Sequence, residues 1–328
     1  MTQDQISSGS AIERAHDDVV AIRDEIAKSL MGQDEIINQV IVSLLADGHV
    51  LIEGVPGLGK TLLVRCLALA FEGKFSRVQF TPDVMPSDIT GHEFFDMSSQ
   101  KFGVRKGPAF TNLLLADEIN RAPAKTQAAL LEVMQERQIT IGGEAVEIAR
   151  PFMVLATQNP IEQEGTYPLP EAELDRFLMK LQIDYPDTES EQRLVRSVTD
   201  GRTGSDFNID SIRTIVNAQR MCELQQLAAE LVVDDSVISY AVRIARATRE
   251  SVGIVHGAGP RASIALIRAA KGQSLLAGND FVPPADIKAV ALPVLRHRVH
   301  LDANLEIEGE KVDDVVRGVL DQVEAPRG

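Results

Sequence analysis

Cysteine is scarce in this sequence. The 328 residues include two cysteines, Cys66 and Cys222, which lie far apart along the chain. Such a pair supplies neither a disulfide framework nor a CxxC metal site. No two of the six histidines stand at metal-ligand spacing beside a carboxylate cluster. His297 and His300 come closest, but the arginines between and beside them favour a solvated basic helix end.

Long apolar runs are also missing. The longest runs fall far short of the roughly 18 residues that a membrane-spanning helix requires. The first residues, Met1–Gln5, lack the basic and apolar regions of a signal peptide. We therefore expect no membrane insertion and a cytoplasmic location.

Basic charge is in deficit. The chain has 33 Lys and Arg residues against 48 Asp and Glu residues, which gives a formal net charge of −15. A protein that binds a nucleic-acid backbone over an extended surface usually has a basic stripe, and this sequence shows none. Nucleic acid is therefore a disfavoured partner, with a local basic pore left open as an alternative.

The apolar content is sufficient for two domains. Hydrophobic residues make up 44% of the chain, and a typical domain has about 100 to 200 residues. Strand-like runs end near Pro186 and helical spacing follows, which predicts an α/β domain and then a helical one. Two amphipathic helices are predicted over 19–30 and 36–45. Residues 1–15 are polar and are predicted to form a disordered tail.

Short apolar runs predict the strands of a parallel sheet. A helix is predicted over 124–137, and alternating residues around Gly142 and Gly143 predict a β-hairpin over 138–148. The predicted sheet strands lie at 50–52, 77–80, 113–116, 152–156 and 178–183.

The most specific motif directly follows the first of these strands. Residues 54–61 read Gly-Val-Pro-Gly-Leu-Gly-Lys-Thr and precede a helical stretch, which is the context of a phosphate-binding loop. The glycines let backbone N–H groups converge on phosphate oxygens, and the helix beginning near Lys60 adds the positive end of its dipole. Lys60 is predicted to neutralise the β and γ phosphates, and Thr61 to bind Mg²⁺ through its hydroxyl.

Two acidic residues end another predicted strand. The run 113–116 is followed by Asp117 and Glu118, and nucleotide hydrolysis needs such acids beside the phosphate loop. Asp117 is predicted to contact Mg²⁺ directly or through water. Glu118 is predicted to orient the attacking water or to accept its proton.

These motifs, with Ala156–Pro160 and Leu174–Phe177, resemble those of the AAA+ ATPases. Three longer stretches are similar to the MoxR family in particular, and the resemblance extends from about residue 15 to residue 300. The three stretches are Asp117–Ala122, Tyr167–Phe177 and Gly259–Ser263.

The resemblance implies a fold and a domain organisation. We expect an α/β AAA+ P-loop NTPase core with a five-stranded parallel sheet over 16–186. A smaller all-α lid domain is expected over 187–328. Within the core, the family pattern implies a helix-2 insert over about 88–110 and a hairpin before sensor 1 over about 138–150.

The resemblance also implies roles for three residues outside the loop. Asn159 would be sensor 1 and would hydrogen-bond the attacking water or the γ-phosphate. Arg176 would be an arginine finger that reaches the nucleotide of a neighbouring subunit, and Arg261 a sensor 2 residue that reaches its own. The alternatives are a surface ion pair of Arg176 with Asp175 or Glu173, and a solvated helix start for Arg261.

The predicted site therefore contains catalytic, nucleotide-binding and Mg²⁺-binding residues. The segment Met31–Gln33 is included because it resembles the part of AAA+ proteins that holds adenine. The catalytic residues are Glu118, Asn159, Arg176 and Arg261; the ATP-binding residues are Gly32, Gln33, Gly54, Val55, Pro56, Gly57, Leu58, Gly59, Lys60, Thr61, Leu62 and Asp117; the Mg²⁺ ligands are Thr61 and Asp117.

The predicted function is Mg²⁺-dependent ATP hydrolysis by a homo-oligomer, a hexameric ring, that remodels a protein client. The resemblance implies a chaperone-like role in enzyme maturation or in metal and cofactor insertion, with a von Willebrand A domain protein as partner. The motif Asp-x-Ser-x-Ser of that domain does not occur in this sequence, so we expect it on another chain.

Three other functions are alternatives. One is an activase or a chelatase-type motor subunit. Another is a nucleotide-gated scaffold that does not hydrolyse ATP, against which the intact Lys60, Asp117, Glu118 and Arg176 argue. The third is a nucleic-acid motor, which the net charge opposes.

Aromatic residues are concentrated in the predicted insert. Phe94, Phe95 and Phe102 lie there among glycines and charged residues. These rings either contact a client in the pore of a ring or pin the insert onto the core. The sequence does not separate the two interpretations.

Overall fold

The computed structural model describes residues 3–55, 57–159, 165–199 and 212–326. An α/β core comes first, and the sequence-based prediction of its class is confirmed. Its helices are α1 (Gln3–Ala27), α2 (Asp34–Leu45), α3 (Lys60–Ala70), α4 (Pro86–Thr90), α5 (Ala124–Glu136) and α6 (Glu171–Leu174). Its strands are β1 (Val50–Glu53), β2 (Phe75–Gln79), β3 (Gly91–Asp96), β4 (Lys101–Lys106), β5 (Leu113–Asp117), β6 (Gln138–Ile141), β7 (Glu144–Glu147), β8 (Met153–Gln158) and β9 (Met179–Gln182).

The core is organised around a five-stranded sheet in the order β2-β5-β8-β1-β9, with every pairing parallel. The five predicted strands are the five strands of this sheet. Both of its faces are covered, since Leu113 and Leu115 of β5 join one apolar cluster while Leu114 joins the other. Continuous apolar strands are expected where both faces are buried.

The helical lid follows the core. Its elements are α7 (Thr188–Thr199), α8 (Ala218–Glu230), α9 (Asp235–Glu250), β10 (Ile254–His256), α10 (Pro260–Ala277), α11 (Pro284–Leu295), β11 (His300–Leu301), α12 (Ala303–Glu308) and α13 (Val312–Gln322). The expectation of an all-α lid is wrong in one detail, because β10 and β11 form a short antiparallel pair. These strands have three and two residues, too few to produce a clear period-2 pattern.

The predicted disordered tail is also corrected by the structure. Residues 3–15 belong to α1, which begins at Gln3. Ile12 and Ala15 are buried in the same apolar cluster as Val19 and Ile26. The apolar stripe therefore begins earlier than the polar composition of this stretch suggests, and burial stabilises the helix.

Arginine and histidine side chains connect the lid to the core just after α11. His297 and Arg298 are 5% and 8% exposed, so the interpretation of this stretch as a solvated basic helix end is wrong. His297 Nε2 lies 3.1 Å from the carbonyl oxygen of Phe177, and Arg296 donates to the carbonyl of Lys180 in β9. Core carbonyls thus replace water as hydrogen-bond partners.

The insert and the predicted hairpin are both two-stranded. β6 and β7 pair around Gly142 and Gly143, which confirms the predicted hairpin. Strands β3 and β4 form the insert, and Phe94, Phe95 and Phe102 are 44%, 47% and 69% exposed. Phe95 and Phe102 pack edge to face on each other at 5.1 Å between ring centroids. Phe95 and Phe102 thus contact each other within the insert, and part of each of the three rings stays accessible.

No helix in the described part of the chain is long and apolar enough to cross a membrane. The apolar residues of the core form two clusters on opposite faces of the sheet. One cluster includes residues of the lid helices, and the other includes residues of α5.

A buried histidine joins three elements of the core. His49 precedes β1, and its Nδ1 accepts a hydrogen bond from the backbone N–H of Val154 in β8. Its Nε2 lies 3.0 Å from the carbonyl oxygen of Met134 in α5. Since Nδ1 is the acceptor, Nε2 bears the proton and the ring is neutral. Burial lowers the pKa of His49 to about 4, while the Met134 carbonyl opposes this shift.

The pKa of His49 predicts how stability depends on pH. An unfolded histidine titrates near 6.5, so below that pH the unfolded chain binds a proton that the folded chain excludes. We expect His49 to lower the free energy of unfolding by about 2 kcal/mol between pH 7.5 and pH 5. Urea unfolding of the wild type and of His49→Gln over this range measures the difference. An equally steep loss of stability in both proteins would contradict the assignment.

Candidate functional site

The phosphate-loop motif lies at the carboxyl end of β1. Gly57 and Gly59 have φ angles of 89° and 81°, a backbone region that residues with a Cβ rarely adopt. Gly59 precedes α3, and its carbonyl accepts the first hydrogen bond of that helix from Leu63 at 2.9 Å. A Cβ atom at Gly54 would lie 2.7 Å from the carbonyl oxygen of Ile183. Glycine is therefore required at both ends of this loop.

The loop borders a pocket of about 380 Å³. Both acidic residues and the predicted sensor residue line this pocket together with the loop, as the sequence predicts. Its lining consists of Gly54, Gly57, Gly59, Lys60, Thr61, Leu62, Arg65, Arg77, Gln79, Asp117, Glu118, Thr157 and Asn159.

The ammonium of Lys60 contacts the loop backbone. It donates a hydrogen bond to the carbonyl oxygen of Gly54. Burial lowers the pKa of Lys60, and the carboxylates of Asp117, Glu118 and Glu53 oppose that shift. A half-buried ammonium at the start of a helix is suited to bind phosphate oxygens, which would replace the Gly54 carbonyl as its partner.

Thr157 holds the two acids in place. Its hydroxyl donates to Asp117 Oδ1 at 2.7 Å and accepts from the backbone N–H of Glu118 at 2.9 Å. Thr157 lies in β8 next to β5 and is 1% exposed. The acids are therefore fixed relative to the adjacent strand, although sequence reasoning did not single out Thr157.

Two side chains from β2 also contact the acids. Arg77 forms an ion pair with Asp117, with Nη2 2.6 Å from Oδ2. Gln79 Nε2 donates to Glu118 Oε2 at 2.9 Å. Sequence reasoning missed both residues, yet their spacing of two in a predicted strand places them on one face beside β5.

Glu118 has an unusual backbone conformation. Its φ and ψ angles are 57° and 50°, in the left-handed region, which costs a non-glycine residue on the order of 1 kcal/mol. Arg121 Nη1 lies 3.1 Å from Glu118 Oε2, so Arg121 and Gln79 contact the same carboxylate oxygen. These contacts and the bond to Thr157 hold Glu118 at the mouth of the pocket.

The residues present are chemically suited to Mg²⁺. Thr61 and Asp117 offer a hydroxyl and a carboxylate oxygen in one pocket. The described residues contain no group of three or more His, Cys, Asp or Glu that could hold a metal alone. Mg²⁺ commonly binds through one or two protein oxygens together with substrate phosphates, and these two residues fit that pattern.

The other predicted nucleotide-binding residues surround the loop. Gln33 Nε2 donates to the carbonyl of Leu58 at 3.2 Å, which joins the start of α2 to the loop. Gly32 and Gln33 line a neighbouring cleft with Tyr185, and Val55 lines a third cleft. Pro56 lies outside the described residues.

Arg176 and Arg261 do not line the phosphate-loop pocket. Both line a separate cleft of about 360 Å³ with Asp47 and His49, at the amino end of β1. Residues 49 and 54 are separated by roughly 16 Å along an extended strand. Arg176 precedes β9, which runs parallel to β1, so it also lies at the amino edge of the sheet.

The expectation that Arg261 reaches the nucleotide of its own chain is therefore corrected. Lid helix α10 packs against α1 and α2, which places its first turn at the amino edge of the sheet. Arg261 is 64% exposed, and its Nη1 lies 3.7 Å from Asp175 Oδ2. Arg176 is exposed, and its Nη1 donates to the carbonyl of Leu131 at 3.0 Å. The two arginines therefore form one charged surface away from the loop.

Known proteins share sequence and fold with this chain. Residues 49–179 match the family described as ATPase family associated with various cellular activities (AAA), and residues 246–319 match the AAA lid domain. Chaperone MoxR1 of Mycobacterium tuberculosis is 43% identical over 312 residues, which are 92% of this chain and 81% of that protein. Protein MoxR of Methylorubrum extorquens is 31% identical over 326 residues, 92% of this chain and 93% of that protein.

A solved structure has the same fold over the whole chain. It is the crystal structure of a Cytophaga hutchinsonii protein assigned as an ATPase, with a TM-score of 0.91 and 39% sequence identity. The match covers 99% of this chain and 100% of the other. The core and the lid thus have the same relative arrangement in both proteins.

The hydroxyl of Thr157 provides a test of the site geometry. Thr157→Val removes the donor to Asp117 and leaves the partly buried N–H of Glu118 without its acceptor. An unsatisfied buried group costs about 1 to 3 kcal/mol, and we expect that loss in urea unfolding. Thr157→Ser keeps the hydroxyl and serves as the matched control. A valine variant as stable as the serine variant would show that the bridge does not hold the acids.

Proposed function

Because the chain belongs to the MoxR family of AAA ATPases, we propose that it hydrolyses ATP with Mg²⁺ as cofactor and uses this reaction to remodel a protein client. The observation that supports hydrolysis most directly is the meeting of Lys60, Asp117 and Glu118 in one pocket. A phosphate-binding cation, a metal ligand and a general base are the minimum that the reaction requires.

The proposed reaction is an in-line displacement at the γ-phosphorus of ATP. The water oxygen forms a bond to phosphorus, and the bond from phosphorus to the bridging oxygen of ADP breaks. Glu118 accepts the water proton and releases it to solvent. Since Gln79 and Arg121 contact Oε2, Oε1 is the oxygen that would accept the proton. Asn159 orients the water or the γ-phosphate.

The remaining residues of the pocket bind charge. Lys60 and the backbone N–H groups of the loop bind the β and γ phosphates. Thr61 and Asp117 would hold Mg²⁺, which would neutralise charge on the phosphate oxygens. In the structure, Arg77 is the positively charged partner of Asp117.

The arginine-lined cleft supports a ring of identical subunits. Arg176 and Arg261 lie too far from the loop of their own chain to contact its phosphates. We therefore propose that both reach the nucleotide of a neighbouring copy, where a guanidinium stabilises the charge of the transition state. A closed ring, which we propose is hexameric, gives every loop such a neighbour.

The exposed aromatic residues of the insert support a protein client. Phe95, Phe102 and Val104 lie on one face of the β3–β4 hairpin, and each is at least 47% exposed. The insert contacts the β6–β7 hairpin, since Glu93 approaches Gly142. We propose that this surface contacts the client and that a von Willebrand A domain protein assists. An activase or chelatase-type motor remains the alternative.

Hydrolysis is tested by two substitutions in the pocket. Glu118→Gln removes the base but keeps the shape, so we expect ATP binding to be retained and turnover to fall at least about 100-fold. Lys60→Ala should lose both ATP binding and turnover. Phosphate release and binding of a fluorescent ATP analogue measure the two effects. Equal, near-zero turnover in the wild type and in Glu118→Gln would instead support the non-hydrolysing scaffold.

The action of the arginines between subunits is tested by mixing variants. We expect Arg176→Ala and Arg261→Ala to bind ATP and to lose turnover, for Arg176 by about 10³-fold. Adding Lys60→Ala subunits should partly restore turnover, because they present intact arginines to intact loops. Arg246→Ala is the control, since Arg246 is an exposed residue paired with Glu250. Unrestored turnover in rings shown to be mixed would contradict the proposal.

A further inference from the structure

A buried arginine of the lid contacts the segment that contains Arg176. Arg298 lies shortly after α11, and its side chain is 4% exposed. Its Nε donates to Asp175 Oδ1 at 2.7 Å, and its Nη2 donates to the carbonyls of Phe177 at 2.6 Å and Asp175 at 3.3 Å. Its Nη1 donates to the carbonyl of Leu178 at 3.1 Å and to that of Val294.

These bonds enclose Arg176. Asp175 and Phe177 are the residues directly before and after Arg176, and the backbone carbonyls of both accept hydrogen bonds from Arg298. Leu178 is further fixed by its N–H, which donates to the carbonyl of His49 at 2.8 Å. The backbone of Arg176 is therefore attached to the lid through one guanidinium, while its own side chain stays exposed at the edge of the cleft.

The same contact reaches Arg261. Asp175 accepts from Arg298 through Oδ1, and its Oδ2 lies 3.7 Å from Arg261 Nη1. One carboxylate thus lies between the buried Arg298 and the exposed Arg261. Burial lowers the pKa of Arg298, and Asp175 opposes this shift by hydrogen bonding and by its charge.

The chemistry of Arg298 indicates that it orients the backbone around Arg176 rather than that it adds to the stability of the fold. A buried ion pair repays the cost of desolvation only when its geometry is good and its donors are satisfied. An apolar side chain would fill the same space at lower cost, whereas only a planar guanidinium donates in several fixed directions at once. Four of the bonds of Arg298 end on Asp175, Phe177 and Leu178.

We propose that Arg298 is a positioning residue for Arg176 and Arg261, and that it transmits the position of the lid to these two arginines. This proposal rests on the proposed action of the arginines on a neighbouring nucleotide. Arg298 itself contacts no nucleotide. A displacement of the lid relative to β9 moves the backbone of Arg176, so the state of the lid in one subunit controls hydrolysis in the next.

Arg298→Gln tests the proposal. We expect the variant to bind the fluorescent ATP analogue with a Kd within about threefold of wild type, because the phosphate-loop pocket is untouched. Its kcat should fall by about 10- to 100-fold, the effect of displacing a catalytic group by an ångström. Arg298→Lys keeps the charge beside Asp175 but not the set of carbonyl bonds, so an intermediate kcat is expected.

Arg296→Gln is the matched control for loss of stability. Arg296 is also a buried arginine of this turn, 9% exposed, and it donates to the core carbonyl of Lys180 and pairs with Asp313. Its hydrogen bonds and its ion pair end on Lys180 and Asp313, not on residues 175–178. We expect a similar decrease in thermal stability in both variants. Because Arg296 lines the clefts beside Gln33 and Val55, kcat is compared at saturating ATP, where a large loss is expected in Arg298→Gln alone. Equal losses of kcat would overturn the proposal.

Mixed rings separate positioning from general damage. Turnover of Arg298→Gln should be partly restored by Lys60→Ala subunits, which present well-placed arginines to its intact loop. It should not be restored by Arg176→Ala subunits, because both variants then lack a working arginine. Restoration by both partners alike, or by neither, would overturn the role of Arg298.

Failure of this inference differs from failure of the proposed function. If Arg176→Ala loses turnover and Arg298→Gln keeps it, the action between subunits stands and Arg298 has no part in positioning. If Arg176→Ala keeps full turnover, the action between subunits is itself wrong.

Discussion

The parallel hydrogen bonding of β1 to β8 and β9 determines on which edge of the molecule each functional side chain lies. Parallel strands end at a common edge, so the loop after β1 meets Asp117 and Asn159 at the ends of their own strands. The same rule sends the residues that precede β9 to the opposite edge. Arg176 is therefore separated from the loop by the length of the strands, and no rotamer of its side chain spans that distance.

At each edge, polar contacts between elements hold the functional residues in position. At the carboxyl edge, the hydroxyl of Thr157 fixes both acids, while Arg77 and Gln79 occupy their outer oxygens. At the amino edge, Arg298 attaches the segment around Arg176 to the lid. Buried polar groups must be paired, and each pairing removes freedom from a functional group beside it. Under the proposed function, the two edges are complementary halves of a site that a neighbouring copy completes.

Much of the core was predictable because its signals are local. The five strands, the loop glycines and the acids at 117 and 118 are short contiguous patterns whose chemistry requires those residue types. The start of α1 was not predictable from composition, since Ile12 and Ala15 are stabilised by contacts with distant parts of the chain. The burial of His297 and Arg298 was not predictable for the same reason, because their hydrogen-bond partners are carbonyls more than a hundred residues away in the sequence.

The sequence by itself determined the fold class, the phosphate-loop motif and the two acids at the end of β5, since each depends on residues adjacent in the chain. Tertiary structure alone decided that Arg261 lies beside Arg176 and not beside Lys60, that Thr157 joins the two acids, and that Arg298 is buried. These facts depend on how the lid packs against the sheet, and that packing is the sum of many weak apolar contacts with no local signature.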